Sequence, residues 1–459
     1  MAVPNSAVPQ PWSAHVRATV VLALPLVGTQ LAQTAMNVTD TLMLGWLGAE
    51  GLAAGILGTQ AFFIVYIFGV GFSQAVMPLA AAAEGAGDAA GVRRAVRMGL
   101  WVLALYSALV MWPLWHAERI LLALGQEPEL ARLAGSYVRV VMWSMLPALV
   151  ITGMRAFLSV VGHAYVLLAI IVIGAGANGL LDYALIFGHY GFPALGVPGA
   201  ALATALANLL MALLLVAYAT LAPGLARYAL LARLWRPDWR AFGEILRLGW
   251  PIGATVVAEV GLFVSASLMM GWLGAVPLAA HGIAVQLASV AFMIPLGLGN
   301  AATVRVGIEY GRGARADLGR AAATALVLAT GIARLGALAF WTWPEALIGL
   351  FLDAEDPNAA AVLAYAVPLL LVAAAFQTVD SLQAVGSGLL RGVQDTRVPM
   401  LMALFSYWAV GLPVAWAFGF RAGWGGTGIW IGLALGLATA AVLLNGRFAL
   451  RERLGLLGR

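Results

Sequence analysis

Two stretches of this chain end in nearly the same six residues. QTAMNVTDTLMLGWLG spans residues 33–48, and EVGLFVSASLMMGWLG spans residues 259–274. Each lies in a long apolar segment and ends in Gly-Trp-Leu-Gly, and the two copies are 226 positions apart (Gly45 and Gly271). Their acidic residues differ in position: the first stretch carries Asp40, whereas the second begins with Glu259.

The same offset relates residues well beyond these stretches. It connects Pro25 with Pro251, Gln33 with Glu259, Gln60 with Gln286 and Arg94 with Arg320. Chance similarity would not persist over such a length, so we interpret the chain as a tandem duplication.

The composition indicates a protein that folds in lipid. Of 459 residues, 63% are hydrophobic and 10% are charged, far from the composition of soluble domains. A helix needs about 20 apolar residues to cross a bilayer, and twelve segments meet this length. They are residues 18–43, 52–82, 96–116, 133–154, 164–187, 197–221, 246–272, 279–304, 321–342, 360–388, 398–419 and 427–446. We predict an all-α integral membrane protein with twelve transmembrane helices in two pseudo-symmetric six-helix lobes.

The distribution of arginine predicts the topology. All 25 basic residues are arginine, and most fall on loops of the same side as the N-terminus. Positive charge accumulates on the cytoplasmic side of membrane proteins, so we expect both termini in the cytoplasm. The lobes are expected at residues 1–225 and 244–459, joined by a cytoplasmic linker at 226–243. Arg334, inside the ninth segment, has no partner that the sequence identifies.

Several function classes are excluded or disfavoured by composition. Cysteine is absent, so disulfides and thiol chemistry are excluded. Lysine is absent as well, so the chain has no P-loop of the G-x-x-x-x-G-K-[ST] type. The five histidines are scattered. We therefore expect no enzyme activity and no resident cofactor, and the net charge of +5 reflects arginines at helix ends rather than nucleic-acid binding.

Four carboxylic acids lie well inside the apolar segments: Asp40, Asp182, Glu259 and Asp380. A charged side chain at the bilayer centre costs about 2.5–3.5 kcal/mol on insertion scales. A hydrogen bond between packed helices is the alternative explanation, but a neutral Asn, Gln or Ser supplies it at lower cost. We therefore favour functional sites, with Glu259 and Asp380 forming a separate acidic site in the second lobe.

Polar residues of the first segment share one helix face. Gln33, Asn37 and Asp40 are four and three residues apart, the spacing of neighbours on a helix surface. We expect Gln33 and Asn37 to line a substrate cavity, with polar contacts between helices as the alternative. Pro25 precedes them in the same helix. It acts either as a static kink or as a hinge, and the sequence leaves both open.

A second polar pair predicts a cation site. Asn178 and Asp182 are four residues apart on the fifth segment, and Thr204 lies near the start of the sixth. If these segments meet the first one near Asp40, they form a cluster of oxygen atoms with two carboxylates. Such a cluster can hold a proton or a hard cation, with Na⁺ at Asp40, Asn178 and Asp182 as one possibility.

At these residues the sequence resembles the multidrug and toxic compound extrusion (MATE) family, in particular its bacterial members. The family belongs to a superfamily that also contains lipid-linked-oligosaccharide flippases. The resemblance covers nearly the whole chain, and four motifs carry it: P-x7-Q-x6-D from Pro25 to Asp40, Asn178-Gly-Leu-Leu-Asp182, Pro251-x7-Glu259, and the segment from Asp380 through Arg391-Gly392 to Pro399.

The resemblance implies a bacterial inner-membrane antiporter. Such a protein exports small cationic amphipathic compounds by alternating access in exchange for H⁺ or Na⁺, and we expect a monomer with membrane lipid as its surroundings. The family's cation-site roles carry over to Asp40, Asn178, Asp182 and Thr204 in the first lobe, and to Glu259 and Asp380 in the second. Some relatives have a tyrosine one turn before Asp380, where this chain has Phe376.

One mechanism and two alternatives follow. A buried carboxylate binds either the drug cation or the coupling ion, because repulsion and desolvation disfavour holding both; we expect Asp40 to be the main coupling residue. A lipid-linked-precursor flippase would need a basic cavity for pyrophosphate. A non-transporting membrane subunit, such as a proton-channel component of a respiratory complex, would need lysines in broken helices.

Overall fold

The computed structural model describes residues 9–353 and 357–457. Within these ranges the chain is helical and contains no strand, and twelve helices are long and apolar enough to cross a membrane. The prediction of an all-α membrane protein with twelve spanning helices is confirmed. Helices are the expected structure because a lipid-exposed backbone must satisfy its hydrogen bonds within the segment.

The twelve helices follow one another with short connections. They are α1 (Trp12–Gly45), α2 (Glu50–Gly85), α3 (Ala89–Trp115), α4 (Pro128–Val160), α5 (Ala164–Phe187), α6 (Val197–Leu221), α7 (Trp239–Leu273), α8 (Ala275–Arg312), α9 (Arg315–Thr342), α10 (Ala359–Gly392), α11 (Arg397–Arg421) and α12 (Gly425–Ala449).

The interruptions of the helices also follow the duplication. A short helix lies between the third and fourth helix of each half, at Ala117–Ala123 and Pro344–Gly349. Within α4 a 3₁₀ turn covers Met142–Ser144, and α11 contains a π-helical stretch at Phe405–Gly411. The two halves thus share their element order but differ in local backbone geometry.

The described residues form two compact units. The N-unit is Gly28–Gly253, and the C-unit consists of the residues up to Val27 together with those from Ala254 onward. The boundaries therefore lie inside α1 and α7, and the offset of 226 that relates the repeats also relates Val27 to Gly253. The lobe boundaries at residues 225 and 244 follow from helix number alone and stay a prediction.

Each unit contains a close helix crossing at repeat-related glycines. In the N-unit, a Cβ atom added at Gly71 of α2 would lie 2.3 Å from the backbone nitrogen of Gly253 in α7. In the C-unit, a Cβ at Gly297 of α8 would lie 3.0 Å from the backbone nitrogen of Val27 in α1. The second helix of each half thus packs closely on the first part of the other half's leading helix, and each unit includes that part.

A buried histidine fixes the start of α1 within the C-unit. His15 is 0% exposed; its Nε2 lies 3.1 Å from Asp317 Oδ1, and its Nδ1 lies 3.0 Å from Arg305 Nη2. The backbone N–H of Gln10 donates to the same Asp317 oxygen at 2.8 Å. These contacts join α1 to α8 and α9.

The segment between α6 and α7 is anchored to the N-unit. It begins with a 3₁₀ turn at Pro223–Tyr228, where the Tyr228 hydroxyl donates to Glu84 Oε2 at 2.8 Å. Farther along, the Trp101 indole N–H donates to the carbonyl of Leu234 at 2.8 Å. The segment expected to be a linker therefore packs on α2 and α3.

Candidate cation and substrate site

Four predicted residues meet in the N-unit on three helices. The Asn178 side-chain amide donates to Asp40 Oδ1, and also to Asp182 Oδ2 at 2.7 Å. The Thr204 hydroxyl donates to Asp40 Oδ2 at 3.3 Å. The structure thus brings together Asp40 of α1, Asn178 and Asp182 of α5, and Thr204 of α6. We call these four residues the N-cluster.

The two carboxyl groups of the N-cluster are neighbours, because the Asn178 amide nitrogen donates to an oxygen of each. Two adjacent carboxylates repel each other unless a proton or another cation neutralises one of the two charges. Asn178 and Asp182 are 0% exposed, so little water is present to screen this repulsion. The cluster therefore requires a positive charge, either a proton or a bound cation.

The oxygen atoms of the N-cluster also fit a hard cation. Asn178 Oδ1 and Asp182 Oδ1 are buried and have no hydrogen-bond partner among the described residues. Carboxylate and amide oxygens are the ligands that such cations prefer. No group of three His, Cys, Asp or Glu side chains suited to a metal occurs within the part of the chain that the structure describes. A cation here would therefore combine two carboxylates with amide and hydroxyl oxygens.

A tyrosine that sequence reasoning missed borders the N-cluster. Tyr137 of α4 is 4% exposed and lies near Thr204. Its hydroxyl also accepts a hydrogen bond from Thr59 at 3.1 Å. No spacing pattern in the sequence connects Tyr137 with α1 or α6, so only packing identifies it.

The predicted cavity residues Gln33 and Asn37 have different surroundings. Gln33 Oε1 accepts a hydrogen bond from Arg155 Nη2 at 2.6 Å, and Gln30 Oε1 accepts one from Arg155 Nη1. Asn37 is exposed. Arg155 was missed because the fourth apolar segment was expected to end at residue 154, whereas α4 continues to Val160. The sequence signal that could have identified Arg155 was its position directly after an apolar segment.

Pro25 lies in the helical part of α1 that belongs to the C-unit, and its side chain is buried. The boundary between units follows two residues later, after Val27. A proline removes one backbone hydrogen bond from a helix, so α1 is locally weakened next to this boundary. Whether Pro25 acts as a hinge stays a prediction.

In the C-unit, Glu259 of α7 and Asp380 of α10 lie close enough to interact electrostatically. Glu259 lies near Gln383 and Tyr407, and the guanidinium of Arg391 acts on it electrostatically. Gln383 Nε2 in turn donates to the Tyr407 hydroxyl at 2.6 Å. We call these five residues the C-cluster.

Phe376, one turn before Asp380, is a core residue. Its ring centroid lies 5.6 Å from that of Trp430 and 6.0 Å from that of Phe263, and it is 1% exposed. Among the described residues, Asp380 Oδ1 is buried without a hydrogen-bond partner. The aromatic packing therefore supplies no hydroxyl to the C-cluster one turn before Asp380.

The two acid clusters differ in charge balance. The N-cluster joins two carboxyl groups with a neutral amide and a hydroxyl, whereas the C-cluster places a guanidinium near one of its two acids, Glu259. The N-cluster therefore has the stronger need for an external cation. Sequence spacing predicted the acids of both clusters but not the basic group of the second.

Comparison with known proteins agrees with the motif resemblance. The family model described as MatE matches residues 25–184 and 251–417. A protein of Rhizobium meliloti (strain 1021), named "Probable multidrug resistance protein NorM", is 52% identical over 437 residues. That match covers 95% of this chain and 94% of the relative.

Two solved structures share the fold. The eukaryotic MATE transporter AtDTX14 matches with a TM-score of 0.84 and 21% identity, over 95% of each chain. A MOP superfamily transporter from Pyrococcus furiosus Vc1 (DSM3638) matches with a TM-score of 0.87 and 22% identity, over 97% of each chain. At such identities the likeness concerns the fold.

Proposed function

Because the chain belongs to the MATE family of membrane transporters, we propose that it is a multidrug efflux antiporter that exports cationic amphipathic compounds in exchange for H⁺ or Na⁺. Family membership confirms that the chain is an integral membrane transporter and not an enzyme. The exchange ion, the cationic substrate class and alternating access belong to the proposal. So do a bacterial inner-membrane location with both termini in the cytoplasm, and a monomeric state in membrane lipid.

The observation that carries the proposal is the Asn178 amide nitrogen, which holds Asp40 and Asp182 next to each other. The half-buried Asp40 and the buried Asp182 share Asn178 and need one positive charge, and a proton, Na⁺ or an organic cation each supplies it. Since these cations compete for one cluster, binding of one favours release of another. Competition of this kind is what an antiporter requires.

The proposed cycle uses this competition twice. A cationic substrate binds near the ionised Asp40 from the cytoplasmic side, and the protein then opens outward. A proton or Na⁺ from outside neutralises the N-cluster, which weakens the attraction for the substrate and releases it. The neutralised cluster favours return to the inward-open state. Asp40 is assigned the main coupling role because it contacts residues of both α5 and α6.

The flippase alternative fits the charge distribution less well. Recognition of a pyrophosphate needs several basic groups around one cavity, whereas each cluster contains two carboxyl groups.

Dye efflux from vesicles tests the coupling. The purified protein is reconstituted with a fluorescent organic cation inside, and a pH gradient and a Na⁺ gradient are imposed separately. We expect accelerated efflux with at least one gradient, abolished by the matching ionophore. Efflux that responds to neither gradient would overturn the antiporter proposal.

The orientation has its own test. The chain contains no cysteine, so a single cysteine reports its own accessibility. A cysteine at Trp235, exposed between α6 and α7, is expected to react with a membrane-impermeant maleimide only after the cells are opened. A cysteine at Tyr190, exposed between α5 and α6, is expected to react in spheroplasts. The reverse pattern would contradict cytoplasmic termini.

A further inference from the structure

The segment between α6 and α7 and the neighbouring ends of α2 and α3 carry a surplus of positive charge. Residues 84–97 and 222–244 together contain seven arginines and four acids. Three of the arginines form ion pairs: Arg94 with Asp88, Arg227 with Glu84 and Arg240 with Glu244. The remaining four form no ion pair among the described residues; they are Arg93, Arg97, Arg233 and Arg236.

These four charges share one surface of the N-unit. Arg97 is 8% exposed, and its Nη1 donates to the carbonyl oxygen of Arg233 at 3.2 Å. Arg93 precedes Arg97 by four residues and therefore lies on the same face of α3. The buried Nε of Arg97 has no acceptor among the described residues. Arg97 thus adds its charge to that of the half-buried Arg93 and the exposed Arg233 and Arg236.

The backbone of the segment is held in an unfavourable conformation. Ala229 and Arg233 have φ angles of 44° and 55°, in the left-handed region that costs energy for residues with a Cβ atom. Such a conformation persists only when the surroundings enforce it. The 0% exposed Tyr228, whose hydroxyl donates to Glu84, and the hydrogen bond from Arg97 hold the chain here. The segment therefore presents its exposed side chains from an anchored backbone.

Two exposed tryptophans lie among these arginines. Trp235 is 77% exposed and Trp239 is 70% exposed. The carbonyl of Leu234, directly before Trp235, accepts a hydrogen bond from Trp101 of α3 at 2.8 Å, and Trp239 is the first residue of α7. The segment therefore runs beside the initial parts of two membrane-spanning helices. Exposed tryptophan and arginine at the ends of such helices are typical of the membrane–water interface.

We propose that Arg93, Arg233 and Arg236, together with Trp235 and Trp239, form a binding surface for the headgroups of anionic phospholipids. Guanidinium groups bind phosphate oxygens with two parallel N–H donors, and the indole rings enter the headgroup region beside them. Because the surface has more arginines than acids, an anionic lipid is preferred over a zwitterionic one.

The position of this surface selects a lipid as the partner rather than a soluble acidic protein. Both tryptophans lie next to helices that cross the bilayer, and their rings are removed from water when they enter the interface. The inference goes beyond the proposed transport function and uses no step of the proposed cycle.

Fluorescence quenching in lipid nanodiscs tests the surface. The chain contains no cysteine, so Trp239→Cys carries a single fluorophore at the start of α7. The nanodiscs contain phosphatidylglycerol and phosphatidylcholine in equal amounts. One of the two lipids carries a nitroxide near the carbonyl end of an acyl chain, and the label is moved to the other lipid in the second sample. Since the membrane is otherwise identical, the ratio of quenching by phosphatidylglycerol to that by phosphatidylcholine reports which headgroup lies beside the segment.

We expect a ratio of about three or more for the labelled protein. One arginine near an anionic surface favours the anionic lipid by about fivefold, and unbound lipids dilute this preference. Arg233→Gln combined with Arg236→Gln should bring the ratio close to one. Raising KCl from about 0.1 M to about 1 M should do the same, because the Debye length falls from about 10 Å to about 3 Å.

Arg119→Gln combined with Arg421→Gln is the matched control. Both arginines are exposed, and neither forms an ion pair among the described residues. They lie after α3 and at the end of α11, on the side proposed to face outward. This variant loses the same charge as the test variant, and we expect it to keep the ratio of the labelled protein.

Three outcomes would overturn the inference. They are a ratio near one for the labelled protein, an unchanged ratio after the exchange of Arg233 and Arg236, and no quenching by either lipid, which would place the segment in water and within reach of a soluble partner. If the double variant does not fold, the salt series decides, since a ratio that KCl does not change contradicts binding by arginine. These measurements contain no substrate and no ion gradient, so their failure leaves the antiporter proposal as it stands.

Discussion

The N-cluster and the C-cluster each combine the leading helix of a half with two later helices, α5 and α6 in the first half and α10 and α11 in the second, yet the surroundings of their acids differ. In the N-cluster, Asp40 and Asp182 share the amide of Asn178 and retain a net need for a cation. In the C-cluster, Glu259 lies near Tyr407 and Gln383, and Arg391 supplies positive charge nearby. Duplication therefore preserved the scaffold while the electrostatics diverged. We infer that the N-cluster exchanges cations, whereas the C-cluster contributes more to the stability of the fold.

The largest expected effect is a difference between the two clusters in their contribution to ion-driven efflux. Asp40→Asn removes one of the two carboxyl groups that need a cation, so gradient-driven efflux should fall by more than about tenfold, the scale on which a charged hydrogen bond acts. Glu259→Gln should retain a larger fraction of the activity. Efflux is measured in the reconstituted vesicles, with Glu50→Gln, an exposed acid at the start of α2, as the control. Full ion-driven efflux by Asp40→Asn would contradict the assigned role.

The second prediction concerns stability, for which Glu259→Gln is expected to have a larger effect than Asp40→Asn. Glu259→Gln removes a carboxylate that acts electrostatically on the Arg391 guanidinium, so this guanidinium loses a nearby negative charge and the Tm should fall. Asp40→Asn relieves repulsion between two carboxyls and should leave the Tm unchanged or higher. The Tm in detergent is compared with that of Glu244→Gln, a solvent-facing acid on the same helix as Glu259. Equal losses of Tm for Glu259→Gln and Asp40→Asn would contradict the predicted difference in stability between the two clusters.

A third prediction compares the glycine crossings. Gly71→Ala places a Cβ atom 2.3 Å from the backbone of Gly253, which cannot rotate away. Overpacking of this kind costs about 1–3 kcal/mol. Gly297→Ala first meets a side-chain atom, Val27 Cγ2, at 2.5 Å, and helix propensity favours alanine by about 1 kcal/mol. Its effect should be smaller. A larger loss of Tm for Gly297→Ala than for Gly71→Ala would contradict the prediction that the Gly71 crossing tolerates an added methyl group less well.

The smallest expected effect concerns the hydroxyl of the N-cluster. Thr204→Val removes a donor to Asp40 at 3.3 Å, worth about 1 kcal/mol, or about a fivefold increase in the half-saturating ion concentration. Thr220→Val is the control, because Thr220 of the same helix bonds only to its own backbone. Identical ion dependence in the wild type and Thr204→Val would place the hydroxyl outside the ion's contacts.

Much of the architecture was accessible from sequence because lipid imposes simple rules. A segment of about 20 apolar residues must be helical in a bilayer, so twelve segments gave twelve helices. Asn178 and Asp182 were assigned to one face from a spacing of four. The hydropathy rule failed at Arg155. The predicted fourth segment ended just before this charged residue, whereas a helix can continue through a buried arginine.

By itself, the sequence determined that the chain folds in lipid, that its halves are repeats, and that four acids lie within the helices. Periodicity and hydropathy are local properties, so a linear chain displays them. Only the tertiary structure decided that Asp40 meets Asn178 and Thr204, that Glu259 has Arg391 nearby, and that Arg155 faces two glutamines. Such contacts join residues more than a hundred positions apart, and helix packing selects them from many alternatives of the same composition. From the sequence one learns only that a buried charged residue needs a group that stabilises its charge. The fold determines which group this is.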